Sequence, residues 1–129
     1  MELYSDLIIF SIIYIREAHA QDVWPISSGR FNQERGPVIV YTPNNTNERV
    51  LLASKFLEDF PTHSNVNVLV DSLDHGDLFL QRFAPWPIRI YLLRMDDAAM
   101  NPVVEFIFDP ENATIPFDKV FKKLQDLRC

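Results

Sequence analysis

Leu7-Ile8-Ile9-Phe10-Ser11-Ile12-Ile13-Tyr14-Ile15-Arg16-Glu17-Ala18-His19-Ala20-Gln21-Asp22-Val23-Trp24 is the stretch whose reading decides the fold. Its first half is almost continuously apolar and rich in β-branched side chains. That composition predicts a strand buried on both faces of a parallel sheet rather than one face of a surface helix. Glu17 and His19 follow where the strand runs out. In open α/β sheets this carboxyl edge is where chemistry is usually placed.

The bounds of the whole chain agree with a globular reading. Its 129 residues fit one domain with one core, and 47% hydrophobic against 23% charged residues is an ordinary folded balance. A formal charge of -6 without a basic stripe argues against nucleic acid as a partner. The single cysteine, Cys129, excludes an internal disulfide framework, a Cys-x-x-Cys redox pair and a cysteine-based zinc site. At the end of the chain it reads as a bland terminal residue and not a nucleophile. The opening apolar run is much shorter than the ~20 residues that cross a bilayer. It follows an acidic start, and Arg16 and Glu17 interrupt it before the small-x-small triplet Ala18-His19-Ala20. No targeting device is expected, and the compartment stays open.

Outward from that stretch, Pro25 to Gly36 reads as an exposed excursion, extending to residue 45. Within it, residues 38–41 are β-prone and predict an extra edge strand. Asn45, with Glu48 three residues on, forms a capping signal for a helix whose apolar face is Val50, Ala53, Phe56, Leu57 and Phe60. Pro61 helps stop it. Residues 65–71 predict the next strand. Ser72 is a candidate cap for a short helix containing Leu78, Phe79, Leu80 and Phe83, with Gly76 weakening its first turn. Pro85-Trp86-Pro87 belongs in no helix interior. Residues 88–93 and 103–108 predict two strands whose short connection favours antiparallel pairing. Phe117, Val120, Phe121 and Leu124 give the final helix its apolar face, with Pro116 at its start. The sum is an α/β chain, a small sheet covered by helices, without internal repeats.

Ile12-Ile13-Tyr14-Ile15-x-Glu17-Ala18-His19-Ala20-x-Asp22-x-Trp24 resembles the strand-and-loop signature of the iodothyronine deiodinases. The likeness continues through Val68-Leu69-Val70-Asp71, the segment Pro87-Ile88-Arg89-Ile90-Tyr91, and the last strand and helix. It implies a thioredoxin-like three-layer α/β/α fold, incomplete at the N-terminus, with residues 1–129 as a partial domain. It further implies reductive removal of iodine from an iodothyronine ligand by a selenocysteine enzyme that uses a thiol reductant, is membrane-associated and is dimeric. The departures are specific. The family's first catalytic strand, glycine-rich loop and selenocysteine have no counterpart, so Met1 looks like an internal position. Arg16 stands where the family has the first acid of its pair, Val23 where it has glycine, and Pro43 near its second histidine. Two readings follow: a deiodinase-derived domain that is inactive as this chain, or a non-catalytic thioredoxin-like binding or structural module.

The candidate site residues carry both a functional and a structural reading. If extended geometry persists to His19, Glu17 and His19 project to the same side. Such a pair can bind a phenolic or carboxylate-bearing ligand or relay a proton, or merely satisfy local hydrogen bonds. Trp24 is an aromatic wall or a cap on the core, and Trp86 a pocket residue or a hydrophobic plug. Pro87 resembles the cis proline beside the redox centre of thioredoxin-like proteins; the alternative is an ordinary trans turn. By resemblance, Glu17, His19, Trp24, Trp86 and Pro87 are the substrate-binding set, and no catalytic set is complete. His63 and His75 form no convincing metal cluster, and no cofactor is called for by the residues themselves. Asn44-Asn45-Thr46 and Asn112-Ala113-Thr114 match glycosylation acceptors, a pattern common by chance. Lys119, Lys122 and Lys123 read as solvated surface charge, and Asp96-Asp97 as a hairpin break.

The absent strand carries a structural expectation. In a thioredoxin-like sheet it would lie between residues 8–15 and 88–93, and unpaired backbone groups on both neighbours would cost roughly 1–3 kcal/mol each if buried. The chain should re-pair those two strands or recruit a strand from another chain, a homodimer or a strand-donating partner. Residues 38–41 are the poorer substitute.

Overall fold

The computed structural model describes residues 8–25, 31–32, 36–37, 39–85, 88–96, 98, 100–112 and 114–127. They form a small mixed α/β architecture whose contacts cluster into two units, Met1–Ala84 and Pro85–Cys129. Among the described residues the strands form three two-stranded sheets and not the one sheet expected.

In the first unit, β1 (Phe10–Tyr14) pairs in parallel with β4 (Val66–Val70), Phe10 opposite Val66 and Tyr14 opposite Val70. The parallel direction requires a long crossover, and α1 (Thr46–Asp59) supplies it. Asn45 is extended and caps this helix: its side-chain oxygen accepts from the Glu48 N–H at 2.9 Å. The Glu48 carboxylate reaches back to the Asn44 N–H at 2.7 Å, a variant of the capping box in which the acid serves the residue before the cap. That backbone bond, joined by the Asn44 side chain, holds the Glu48 carboxyl below its ordinary value. Asn45→Ala is expected to cost about 1 kcal/mol of stability, read as a shift in urea midpoint at unchanged slope. The helix closes with the Phe60 N–H on the Phe56 carbonyl, just before Pro61.

The buried side of α1 is rotated from the expected one. Ala53 is buried, but its neighbour there is Arg49, while Val50, Phe56 and Phe60 are exposed. Packing around the arginine, described below, outweighs the apolar periodicity. Tyr14 meets Phe56 with ring centroids 6.0 Å apart, so α1 lies on the side of the β1–β4 pair that carries Tyr14. By strand alternation that side also carries Phe10, Ile12 and the three valines of β4. The opposite side carries Ile9, 83% exposed, Ser11 and Leu69, 53% exposed. The expected strand therefore exists and is parallel, but with Ile9 and Leu69 exposed and Ile13 half-buried on that side it is not buried on both faces.

Residues 39–41 are not a strand; Val38 lies outside the described residues. The Val40 carbonyl accepts from the Gln21 N–H at 2.8 Å, so these backbone groups are committed to a loop contact. The excursion instead holds a two-residue ribbon, β2 (Phe31–Asn32) against β3 (Gly36–Pro37). After β4 comes α2 (Leu78–Phe83), shorter than expected. Gly76 sits at φ +81°, a left-handed conformation that glycine adopts without strain, and sets up the turn into α2.

The second unit is a hairpin and a helix. β5 (Ile90–Asp96) and β6 (Asn101–Phe108) pair antiparallel, as their short connection predicted, though both reach further toward the turn. The register slips beyond Leu92, which faces Phe106, since Leu93 faces Val104. Glu105 is thereby the extra residue of a bulge. α3 (Phe117–Asp126) starts after Pro116, and Phe108 and Leu124 of this unit are buried.

The membrane association implied by the resemblance is corrected. Among the described residues no helix is long and apolar enough to cross a membrane. The longest, α1 with 14 residues, would span only about 21 Å of a ~30 Å hydrocarbon core.

Candidate functional site

The loop after β1 is built by short-range hydrogen bonds. Strand geometry ends at Tyr14 and a turn begins at Ala18, so the alternation expected to align Glu17 with His19 does not reach His19. Ala20 is buried, and its carbonyl accepts from the N–H groups of Val23 (3.1 Å) and Trp24 (3.0 Å). This tight turn folds Trp24 back onto His19. Their rings lie 4.7 Å apart at 50°, and His19 Nδ1 is 3.3 Å from the Trp24 carbonyl oxygen. A carbonyl can only accept, so Nδ1 carries the proton in this contact. Nε2 is the ring nitrogen that this contact leaves over. Trp24 is 61% exposed, and the two rings make an open aromatic shelf rather than a plug on the core.

The structure thus brings together His19 and Trp24 from the expected set. Glu17 is half-buried in the segment leading to the turn, and His19 bonds to the Trp24 carbonyl rather than to it. Trp86 and Pro87, with the cis assignment made for the latter, lie outside the described residues. So does Cys129.

Asp22, part of the quoted motif but assigned no role from sequence, fastens the shelf to the strand of chain leading into α1. Its Oδ1 accepts from the Thr42 N–H at 2.9 Å and from the Thr42 hydroxyl at 3.1 Å. The Thr42 backbone bond is the main reason its carboxyl lies below the ordinary aspartate value. A carboxyl depressed in the folded state stabilises it above the unfolded value, and that contribution is lost as pH falls through the folded one. The Asp22–Thr42 contact is therefore expected to persist through the ordinary titration range of aspartate and to open only below it. An acid titration followed at the Thr42 amide proton checks this; a midpoint at or above that of a free aspartate would contradict it.

A second polar cluster forms where β4 ends, and sequence reading missed it. Asp71 is 7% exposed; its Oδ1 accepts from the Phe79 N–H (3.1 Å) and its Oδ2 from the Leu80 N–H (2.9 Å). It caps α2 in place of Ser72. The Ser72 hydroxyl is occupied by Thr46 Oγ at 3.2 Å and His75 Nδ1 at 2.8 Å. Arg49, 1% exposed, donates from Nη1 to the Asp71 carbonyl at 2.8 Å and to the Asp77 carboxylate. Its Nε is buried without a partner among the described residues. Every polar contact here joins α1, the end of β4 and the entry to α2, so the cluster is a clamp on the first unit.

Within the second unit a cleft of about 620 Å³ runs between β6 and α3, with Phe106 and Phe108 in its lining. The lysines expected as solvated charge line it with partners: Lys119 pairs with Glu111, and Lys123 lies 3.6 Å from Glu105 and 3.9 Å from the Phe106 ring centre. Lys122 also lines the cleft. Among the described residues no three His, Cys, Asp or Glu side chains converge to hold a metal ion.

No family model, curated protein or solved structure matches this chain. The likeness to deiodinases therefore rests on the quoted residues alone.

Proposed function

We propose that this chain is a non-catalytic binding module, related to the C-terminal part of the thioredoxin-like deiodinases, whose site is the His19–Trp24 shelf beyond the end of β1. The observation that carries the reading is the imidazole held against the indole: with Nδ1 3.3 Å from the Trp24 carbonyl, Nε2 is the nitrogen left to face a ligand beside an exposed indole. That combination suits a flat phenol, the ring stacking on Trp24 and the hydroxyl donating to His19. An iodothyronine is the phenolic ligand that the resemblance supplies. The strand–helix–strand order of β1, α1 and β4, then the β5–β6 hairpin and α3, supports the thioredoxin-like relation. Reductive deiodination needs an electron-donating nucleophile, and the only thiol in the sequence is its last residue.

The test uses a Trp86→Phe chain, leaving Trp24 as the single indole. Thyroxine and 4-hydroxyphenylacetate should each quench its fluorescence saturably, and His19→Phe should weaken the phenol at least tenfold while retaining the stack. Equal affinity for phenylacetate, which lacks the hydroxyl, would remove the imidazole from the reading. Iodide release from thyroxine with excess thiol should stay at the level of a protein-free control. Turnover lost in Glu17→Gln or His19→Phe would overturn the non-catalytic assignment.

A further inference from the structure

We infer that Asp22 is the positioning residue of the His19–Trp24 shelf: by holding Thr42 it keeps closed the turn that brings the indole onto the imidazole. The role rests on the phenol-binding function proposed for the shelf. All the groups concerned belong to the first unit. Inside the turn, the Ala20 carbonyl takes the N–H groups of Val23 and Trp24. Ala20 is buried, but residues 21–25 are exposed, and residues 15–17 before the turn are neither helix nor strand. Fixing the backbone of so short a segment costs more than two hydrogen bonds in water return. The turn therefore does not hold itself, and the remainder comes from outside it.

Residues 40–45 supply it. The Gln21 N–H donates to the Val40 carbonyl at 2.8 Å, and Asp22 Oδ1 accepts from the Thr42 N–H at 2.9 Å and the Thr42 hydroxyl at 3.1 Å. One such contact is a pivot; two, on adjacent residues of the turn, also set its rotation. The segment that receives them is itself fixed. Pro43 is buried, the Asn44 N–H reaches the Glu48 carboxylate at 2.7 Å, and Asn45 caps α1. The turn is thereby referenced to a helix of 14 residues and not to a free loop. The partner of the Asp22 carboxylate outside the turn is Thr42, so it acts on the shelf through the backbone. Apparent affinity scales with the fraction of molecules in which a site is formed. Opening the turn lowers the affinity for a flat phenol by the factor that it lowers the closed fraction, and leaves the contacts of the closed form untouched.

The test uses the Trp86→Phe chain, in which Trp24 is the sole indole. Two quantities are read. One is the ring-current displacement that the indole gives the His19 ring protons, assigned by their absence in His19→Phe. The other is the affinity for 4-hydroxyphenylacetate. Adding Asp22→Ala should reduce both together, the affinity about tenfold and the displacement to about a tenth. Thr42→Val keeps the N–H donor and should reduce both by about threefold. Asp22→Asn keeps an acceptor oxygen where both Thr42 donors point, and should restore both to within about twofold of the parent. A lowered urea midpoint in Asp22→Ala with displacement and affinity unchanged would show a merely structural contact and overturn the positioning role. Affinity lost with the displacement kept would overturn it as well, because the carboxylate would then meet the ligand directly. So would a parent chain that lacks the displacement. A parent that shows the displacement but binds no phenol would refute the binding function, and the displacement in Asp22→Ala alone would then decide the role of Asp22.

Discussion

Asp71→Ala is expected to lower the free energy of unfolding by roughly 2–4 kcal/mol, enough to endanger a small α/β chain. The aspartate is nearly buried, and both its oxygens are taken by the first N–H groups of α2. Asp77, at the usual cap position, makes no side-chain cap bond and sits in left-handed backbone, so nothing else replaces the lost acceptors. Asp71→Asn keeps one acceptor oxygen and should recover part of the loss. Urea unfolding monitored by far-ultraviolet circular dichroism checks the order. A loss below about 0.5 kcal/mol for alanine would show that water satisfies the α2 N–H groups as well as the carboxylate does.

Arg49→Ala is the second large effect, expected at roughly 3 kcal/mol. Removing one member of a buried, hydrogen-bonded pair leaves the other uncompensated, which costs about 3–5 kcal/mol in enclosed sites. Asp77 keeps partial access to solvent, 28% of its side chain, which places the loss at the lower end. The Asp71 carbonyl would lose its Nη1 donor as well. Arg49→Met with Asp77→Asn should be clearly more stable than Arg49→Ala alone, because the methionine fills the space and no charge is stranded. A double-mutant cycle between positions 49 and 77 that gives no coupling would refute the clamp.

Elements with local signals were legible in the sequence. The Asn45–Glu48 cap, the β5–β6 hairpin and α3 behind Pro116 depend on neighbours close in the sequence, and β1 shows itself as a strand through its own β-branched run. Arg49 was not legible. A lone arginine on a helix reads as solvated, and only the arrival of Asp71 and Asp77 from beyond β4 gives it a reason to be buried. Residues 39–41 failed for the same reason in reverse: β-propensity lost to a contact with Gln21 that lies far back in the sequence. At the shelf, sequence named His19 and Trp24 but joined His19 to Glu17. The Ala18–Ala20 turn redirects the imidazole, and small residues in a turn give little warning of where a side chain three or four positions away will point.

The pairing of Phe10 with Val66 has a consequence for how the chain reaches its native state. Joining β1 to β4 closes a loop that contains the whole excursion and α1, whereas β5 and β6 are brought together by a tight turn. Closure entropy and contact order make the first event slow and the second fast. During synthesis, too, β1 emerges long before its partner, so its uncharged edge waits exposed while the intervening residues are made. A segment of this composition is at its most sticky in that interval. The time needed to make the residues between Tyr14 and Val66 then sets how long the nascent chain is vulnerable.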